Sequence, residues 1–407
     1  MTNCKTRLFA ATALALGLAA QPARAAQTET QDSCYLFAFF SNNSPSGEQI
    51  RYALSDDGLN YTSLNGGRPV VASDSIALKK SIRDPYICRG RDGRTFYMVM
   101  TDMRSDEGWQ SNDGLVLMKS TDLLHWQHTA IDFPTRFPQL QGFDRKNLHA
   151  VWAPQVIWDE AEGKYMIYYS IGRHDWEYPV GSKRQPHFKL FYSYVNDDFT
   201  DITEPKLLFD FGTAAIDGDI IYDAKNKEYV LFFKDEGLPT TNNGFKTRQG
   251  VMRATSKTLT GPYAVEYRHL QKPGQYPVEG SSVFPLIGSD EYILMYDCYA
   301  QGYYQFCRSK DLKEFTYVHD TPTRGTFTPR HGSVMHISAA ERDRLEAWSE
   351  LATAIHSLAQ RPAPTLTLAQ IDSRKELLAE AKRTLAATAD PKKLRKMAAK
   401  VEKMAAE

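Results

Sequence analysis

The 407-residue chain lacks the marks of several large functional classes. Its five cysteines include no Cys-x-x-Cys pair, which argues against a zinc ribbon or a dithiol redox site. It has no G-x-G-x-x-G fingerprint, no phosphate-cradling P-loop and no G-x-S-x-G elbow. Dinucleotide, nucleoside triphosphate and Ser-His-Asp hydrolase chemistries therefore have no anchor in it. It has no excess charge either: 49 Lys and Arg balance 49 Asp and Glu. A nucleic-acid binder working by bulk electrostatics is unexpected. The one long apolar run, Leu8–Ala20, is too short to span a bilayer and has no stop-transfer flank.

That run reads instead as the core of a signal peptide. Lys5 and Arg7 precede it and Ala23-Arg24-Ala25 supplies a small-x-small cleavage site, so residues 1–25 are expected to leave on export to the periplasm or the extracellular space. Cys4 leaves with them. Cys34, Cys88, Cys298 and Cys307 remain, and an oxidising compartment permits disulfides. Cys298 and Cys307, nine residues apart in what reads as one hairpin, are the candidate pair; four free thiols are the alternative. From residue 339 the composition turns to Ala, Leu, Lys, Arg and Glu. Helices are expected over 339–359, 368–387 and 391–406, with a break at Arg361-Pro362-Ala363-Pro364. This tail, 339–407, reads as a solvated helical extension packed on the main domain, and its last 38 residues carry a net charge of about +4.

What the chain has in surplus is aromatic residues: 22 Tyr, 20 Phe and 6 Trp, which favours strands and ligand-facing surfaces. Between residues 33 and 338 they recur on one plan. A short strand carries polar residues near its start, a strand dense in Tyr, Phe, Met and Val follows, and a third strand ends in a Ser/Thr/Asp turn. Four copies begin near Asp84, Trp152, Asp217 and Glu279. The fifth is split: its first strand, 330–337, comes last, and its others, 35–40 and 49–55, come first. This predicts an all-β fold, a five-bladed β-propeller closed by joining both ends of the domain in one blade. A two-sheet sandwich does not explain the split copy.

In a propeller the first strand of each blade lines the central channel. Reading those strands together gives Arg83 and Asp84, Trp152 and Gln155, Asp217 and Asp219, Glu279, and His331. A lone Asp-Pro is ordinarily a turn, and Trp152 and His331 also serve as core residues. Acids at matching places in three repeats are another matter. Two carboxylates flanking a bond are what acid–base glycoside hydrolysis needs, and a third raises the pKa of the acid. Asp217 and Asp219 compete for that third role and are expected to differ in face or depth.

These motifs resemble glycoside hydrolase family 43 over roughly residues 33–345: Ile82-Arg83-Asp84-Pro85-Tyr86, Val151-Trp152-Ala153-Pro154-Gln155, Ala215-Ile216-Asp217-Gly218, Val278-Glu279-Gly280-Ser281 and Arg330-His331-Gly332. The resemblance implies an inverting enzyme acting on α-L-arabinofuranosyl or β-xylosyl units of plant-type polysaccharide or oligosaccharide. It implies Asp84 as general base, Glu279 as general acid and Asp217 as modulator of its pKa. Arg83, Trp152, Gln155 and His331 become substrate-binding candidates. No cofactor is required, though a calcium ion near His331 occurs in many members. Gln155, Gly218 and Ser281 depart from the common pattern and bear on substrate choice. A fructan- or galactan-active relative and a non-catalytic sugar-binding propeller are the alternatives.

Overall fold

The structure is a computed structural model that describes residues 32–176, 187–212, 214–236, 249–274, 276–362 and 367–406. The expected leader, 1–25, and Ala363-Pro364 of the expected helix break lie outside them.

Twenty strands form five four-stranded antiparallel sheets. β1 (Asp32–Phe39), β2 (Arg51–Ser55) and β3 (Thr62–Ser63) begin the chain's fold. Blade 1 is β4 (Ile82–Arg89), β5 (Phe96–Asp102), β6 (Gly114–Ser120) and β7 (Gln127–Asp132). Blade 2 is β8 (Leu148–Asp159), β9 (Lys164–Arg173), β10 (Lys189–Tyr194) and β11 (Lys206–Phe209). Blade 3 is β12 (Ala215–Asp223), β13 (Glu228–Glu236), β14 (Gln249–Ser256) and β15 (Ala264–Glu266). Blade 4 is β16 (Glu279–Pro285), β17 (Tyr292–Cys298), β18 (Tyr303–Ser309) and β19 (Thr316–Pro322). The last strand, β20 (Gly332–Ser338), pairs with β1, so the closing blade reads β20-β1-β2-β3. The innermost strands touch in a ring, β4 to β8, β8 to β12, β12 to β16, β16 to β20 and β20 to β4. The five-bladed propeller and its split blade are as the repeat predicts.

The aromatic surplus lies mainly between the blades. Separate apolar clusters fill the gaps between neighbours, such as Phe37, Phe39, Tyr61, Tyr304, Phe306 and Phe327 between blade 4 and the closing blade. Tyr61 lies parallel to Phe327 there, their ring centres 6.0 Å apart. Offset contacts of this kind add to the area each ring buries.

Four inner strands share one irregularity. In each of β4, β8, β12 and β16, three residue steps face two on the next strand, between Arg83 and Tyr86, Trp152 and Gln155, Ile216 and Asp219, and Glu279 and Ser282. Each bulge puts one residue at positive φ: Asp84 (52°), Ala153 (46°), Asp217 (55°) and Gly280 (61°). For a non-glycine residue that conformation costs about 1–2 kcal/mol. Bulges re-aim side chains and gather at active sites. Here they turn the start of each inner strand toward the channel.

After β20 come α2 (Ala339–Gln360), α3 (Leu368–Ala387) and α4 (Pro391–Ala406); a single turn, α1 (Phe133–Arg136), lies after β7. Ser338 and Glu341 form a capping box at the start of α2. The helices share an apolar core that reaches Val70 and Leu124 of the propeller. Arg89 of β4 holds both carboxylate oxygens of Glu341 at 2.7 Å.

The cysteine pairing expected across the hairpin does not form; all four described cysteines are free. Cys298 faces Tyr303 across the ladder and Cys307 faces Leu294. Four strand residues, about 13 Å, separate the two positions, well beyond disulfide reach.

Candidate active site

The bulges deliver their side chains to one cavity of about 400 Å³ at the mouth of the ring. Arg83, Asp84, Trp152, Asp217, Glu279 and His331 all line it. Gln155 does not. The bulge turns it away from the cavity, where its Oε1 accepts from the Tyr168 hydroxyl (2.8 Å), which in turn accepts from Ile220 N–H (2.9 Å). Gln155 is a strut between blades 2 and 3, not a sugar ligand. Asp219 is likewise turned away and accepts from Val283 N–H at 2.6 Å. The competition between the two aspartates is thus settled by the bulge, with Asp217 in the cavity.

The register explains how the site is held. Opposite the bulges stand Thr101, Ser170, Lys234 and Asp297, one on the second strand of each blade. Each reaches the inner strand of the following blade or, for Asp297, the segment that leads into it. Thr101 Oγ1 accepts from Ala153 N–H (2.8 Å) and donates to Asp84 Oδ2 (2.8 Å). Ser170 Oγ accepts from Asp217 N–H (3.3 Å). Lys234 Nζ donates to Glu279 Oε2 (3.0 Å). Asp297 Oδ2 accepts from Arg330 Nε (2.6 Å). Arg330 Nη2 donates in turn to Glu279 Oε1 (2.9 Å), so both oxygens of Glu279 are engaged.

His331 joins the remaining acids. Its Nδ1 lies 3.4 Å from Asp84 Oδ1 and 3.8 Å from Asp217 Oδ2. Burial opposes its charge, but the Asp217 carboxylate and the bond to Asp84 carry its pKa up to about 9. A protonated ring facing two carboxylates is a donor, not a cation ligand. Among the described residues no three His, Cys, Asp or Glu side chains are grouped to hold a metal ion. The residues around His331 do not fit a calcium site, and no step is assigned to one.

The carboxyls divide sharply. Burial would raise Asp84, but its hydrogen bond to His331, with the His331 and Arg83 charges, holds it below the usual range. Burial would also raise Glu279, but Lys234 and Arg330 hold it down. Asp217, more buried than compensated and beside the charges of Glu279 and Asp84, rises to about 6. The sequence-based expectation puts the raised pKa on Glu279; in the free site the two cations hold Glu279 down, and Asp217 is the raised carboxyl of the pair.

Lining residues that sequence reasoning did not select include Asn43, His149, Lys234, Glu236, Tyr299 and Arg330. Lys234 left a signal: a cation that directly follows the apolar stretch Val230–Phe233 of a middle strand has to be paired when buried. It is 4% exposed and shared between Glu236 (2.7 Å) and Glu279. Arg83, a substrate-binding candidate by sequence, spends its Nη1 on Glu48 (3.0 Å) and Asn43 (2.7 Å). It packs between Phe40 and Trp109, and Trp109 is half exposed at the rim. Trp152 stacks one face on Phe188, ring centres 4.6 Å apart.

Gly280 tests this geometry. A Cβ there would lie 2.6 Å from His331 Cγ, on a backbone at φ +61°. Gly280→Ala is expected to destabilise by about 2–5 kcal/mol, the sum of left-handed strain and overpacking. Gly93→Ala, at φ +71° with nothing within 4 Å, is expected to show the strain alone. Urea unfolding of both variants checks this, and equal losses would contradict it.

Comparison with known proteins bears on the family and the fold. A family model described as a probable glycosyl hydrolase domain, related to glycoside hydrolase family 43, matches residues 31–343. An α-L-arabinofuranosidase of Bifidobacterium longum subsp. longum is 25% identical over 263 residues, covering 61% of this chain and 23% of that protein. The chain thus spans under a quarter of the curated relative it matches. Among solved structures, an exo-β-1,3-galactanase from Clostridium thermocellum superposes with a TM-score of 0.50 at 15% identity, over 73% of this chain and 62% of that one. An exo-1,5-α-L-arabinanase from a bovine ruminal metagenomic library gives 0.47 at 16% identity, over 71% and 94%. At such identities the likeness bears on the fold alone.

Proposed function

The chain belongs to the glycosyl hydrolase family related to glycoside hydrolase family 43, and on that premise we propose that it hydrolyses α-L-arabinofuranosyl or β-xylosyl linkages by single displacement with inversion. The observation that carries this reading is the convergence of Asp84, Asp217 and Glu279, from three blades, on one cavity. Four acids, Asp84, Asp217, Glu236 and Glu279, are balanced there by Arg83, Lys234, Arg330 and protonated His331. A charge-balanced pocket suits a neutral sugar.

Asp84, kept ionised by His331, takes the proton of the attacking water. Glu279 protonates the leaving oxygen. Its proton comes from the cluster it shares with Asp217: a glycosidic oxygen that enters between Glu279 and Lys234 weakens that ion pair, and the proton passes to Glu279. Coupled groups of this kind titrate as one unit. The arabinofuranosidase relative supports the pentose assignment. An expected leader over residues 1–25 supports action outside the cytoplasm, on polysaccharide or its fragments.

Proton NMR of the sugar product in the first minutes of reaction tests the scheme. The anomer opposite to that of the substrate is expected, before mutarotation. Retained configuration would eliminate single displacement.

A further inference from the structure

Among the described residues blade 2 contributes no carboxylate to the cavity. Its inner strand offers His149 and Trp152 instead, 1% and 8% exposed. Both carry a buried polar atom without a hydrogen-bond partner among the described residues, Nδ1 of His149 and Nε1 of Trp152. The two rings stand edge to face with centres 6.4 Å apart. Phe188 packs against both, at 5.6 Å from His149 and 4.6 Å from Trp152, and fixes their orientation. A buried polar group left unpaired loses its hydration without recompense. Two such groups side by side in the wall of one cavity mark a place where a ligand supplies the missing partners.

We infer that His149, with the indole N–H of Trp152, forms the hydroxyl-reading wall of the site and selects among neutral sugars by the presence and configuration of their ring hydroxyls. This rests on the glycosidase reading and specifies it. The indole N–H only donates, so it demands a hydroxyl oxygen. Burial, with His174 beside it, lowers the His149 pKa to about 4, so the ring is neutral at working pH. A neutral imidazole has one donor and one acceptor nitrogen and suits a hydroxyl, which has both. The neighbouring blades hold the charges that carry out the chemistry, while blade 2 measures the shape of the sugar. A site built to bond a hydroxyl rejects the analogue without it far more strongly than an apolar pocket does.

The experiment uses His149→Phe, which keeps an aromatic ring of similar size against Phe188 and removes the polar atoms, and His149→Gln, which restores them. For the cleaved pentoside, His149→Phe is expected to raise KM about 10–100-fold with kcat changed less, and to reduce discrimination against the epimeric and the deoxy pentosides by a similar factor. His149→Gln should recover part of it. A proportional loss on pentosides with and without the hydroxyl, or unchanged discrimination, would overturn the inference. Unaltered thermal melting separates either result from misfolding. If the wild type cleaves no pentoside, the glycosidase reading fails separately. Calorimetric titration of L-arabinose, D-xylose and their deoxy forms into wild type and His149→Phe then still decides: equal affinities in the two proteins would overturn the hydroxyl-reading role.

Discussion

Glu279→Gln is expected to lower kcat on an aryl pentoside by about 10²–10⁴-fold, the usual worth of a general acid, while substrate binding persists. The substitution keeps shape and removes one proton site. Folding should survive, because each cation around Glu279 has a second buried partner. Lys234 keeps Glu236 at 2.7 Å and Arg330 keeps Asp297 at 2.6 Å. Initial rates and calorimetric affinities for the same sugar, measured on both proteins, give the result. A wild type that binds sugar without cleaving it, and a Gln variant indistinguishable from it, would make this propeller a binding module.

Lys234→Met carries the second large effect, on stability and on pH dependence together. It removes one cation from between two carboxylates in an almost dry site. Breaking a buried pair in this way costs about 3–5 kcal/mol. The sign with pH follows from which groups titrate. Glu279 is held below its ordinary value, so its pairing stabilises the protein above that value and is lost as pH falls through the depressed one. Without Lys234, Glu279 is left under-compensated while ionised and relaxes by taking up a proton. The deficit is therefore expected to be largest near pH 8 and to shrink toward pH 5, as read by urea unfolding at both.

The same change moves catalysis. The reaction needs one proton in the Asp217–Glu279 cluster and none on Asp84. Wild-type kcat/KM is expected to fall as pH rises through about 6, where Asp217 loses its proton, and to fall again only below the depressed Asp84 value. Loss of the Lys234 charge raises the affinity of the cluster for its proton, so the basic limb shifts to higher pH. An unmoved limb would show that the cluster does not supply the catalytic proton.

Much of this was legible in the chain. Blade closure was written in the order of the copies, because a ring of like units shows in sequence as a rotated repeat. The three acids were legible because each stands at the start of an apolar strand, where an idle charge is costly. The frame that grouped them was one residue out. Glu279 shares its place with Arg83, Trp152 and Ile216, while Asp84 shares its place with Ala153, Asp217 and Gly280. A bulge adds one residue to a period of two, and no spacing rule reveals which residue takes the positive φ. Gln155 was misassigned for that reason.

The sequence by itself determined the ring, its closing blade, the helical tail and the three carboxylates, since all follow from periodicity and from the cost of burying charge. Which carboxylate holds the proton, which cations restrain Glu279 and which blade reads the sugar were decided only by the tertiary structure. Those properties depend on side chains from different blades meeting within about 3–4 Å, where burial makes a charge felt. Residues such as Lys234 and Glu279 lie 45 positions apart and are paired by the turn of the propeller.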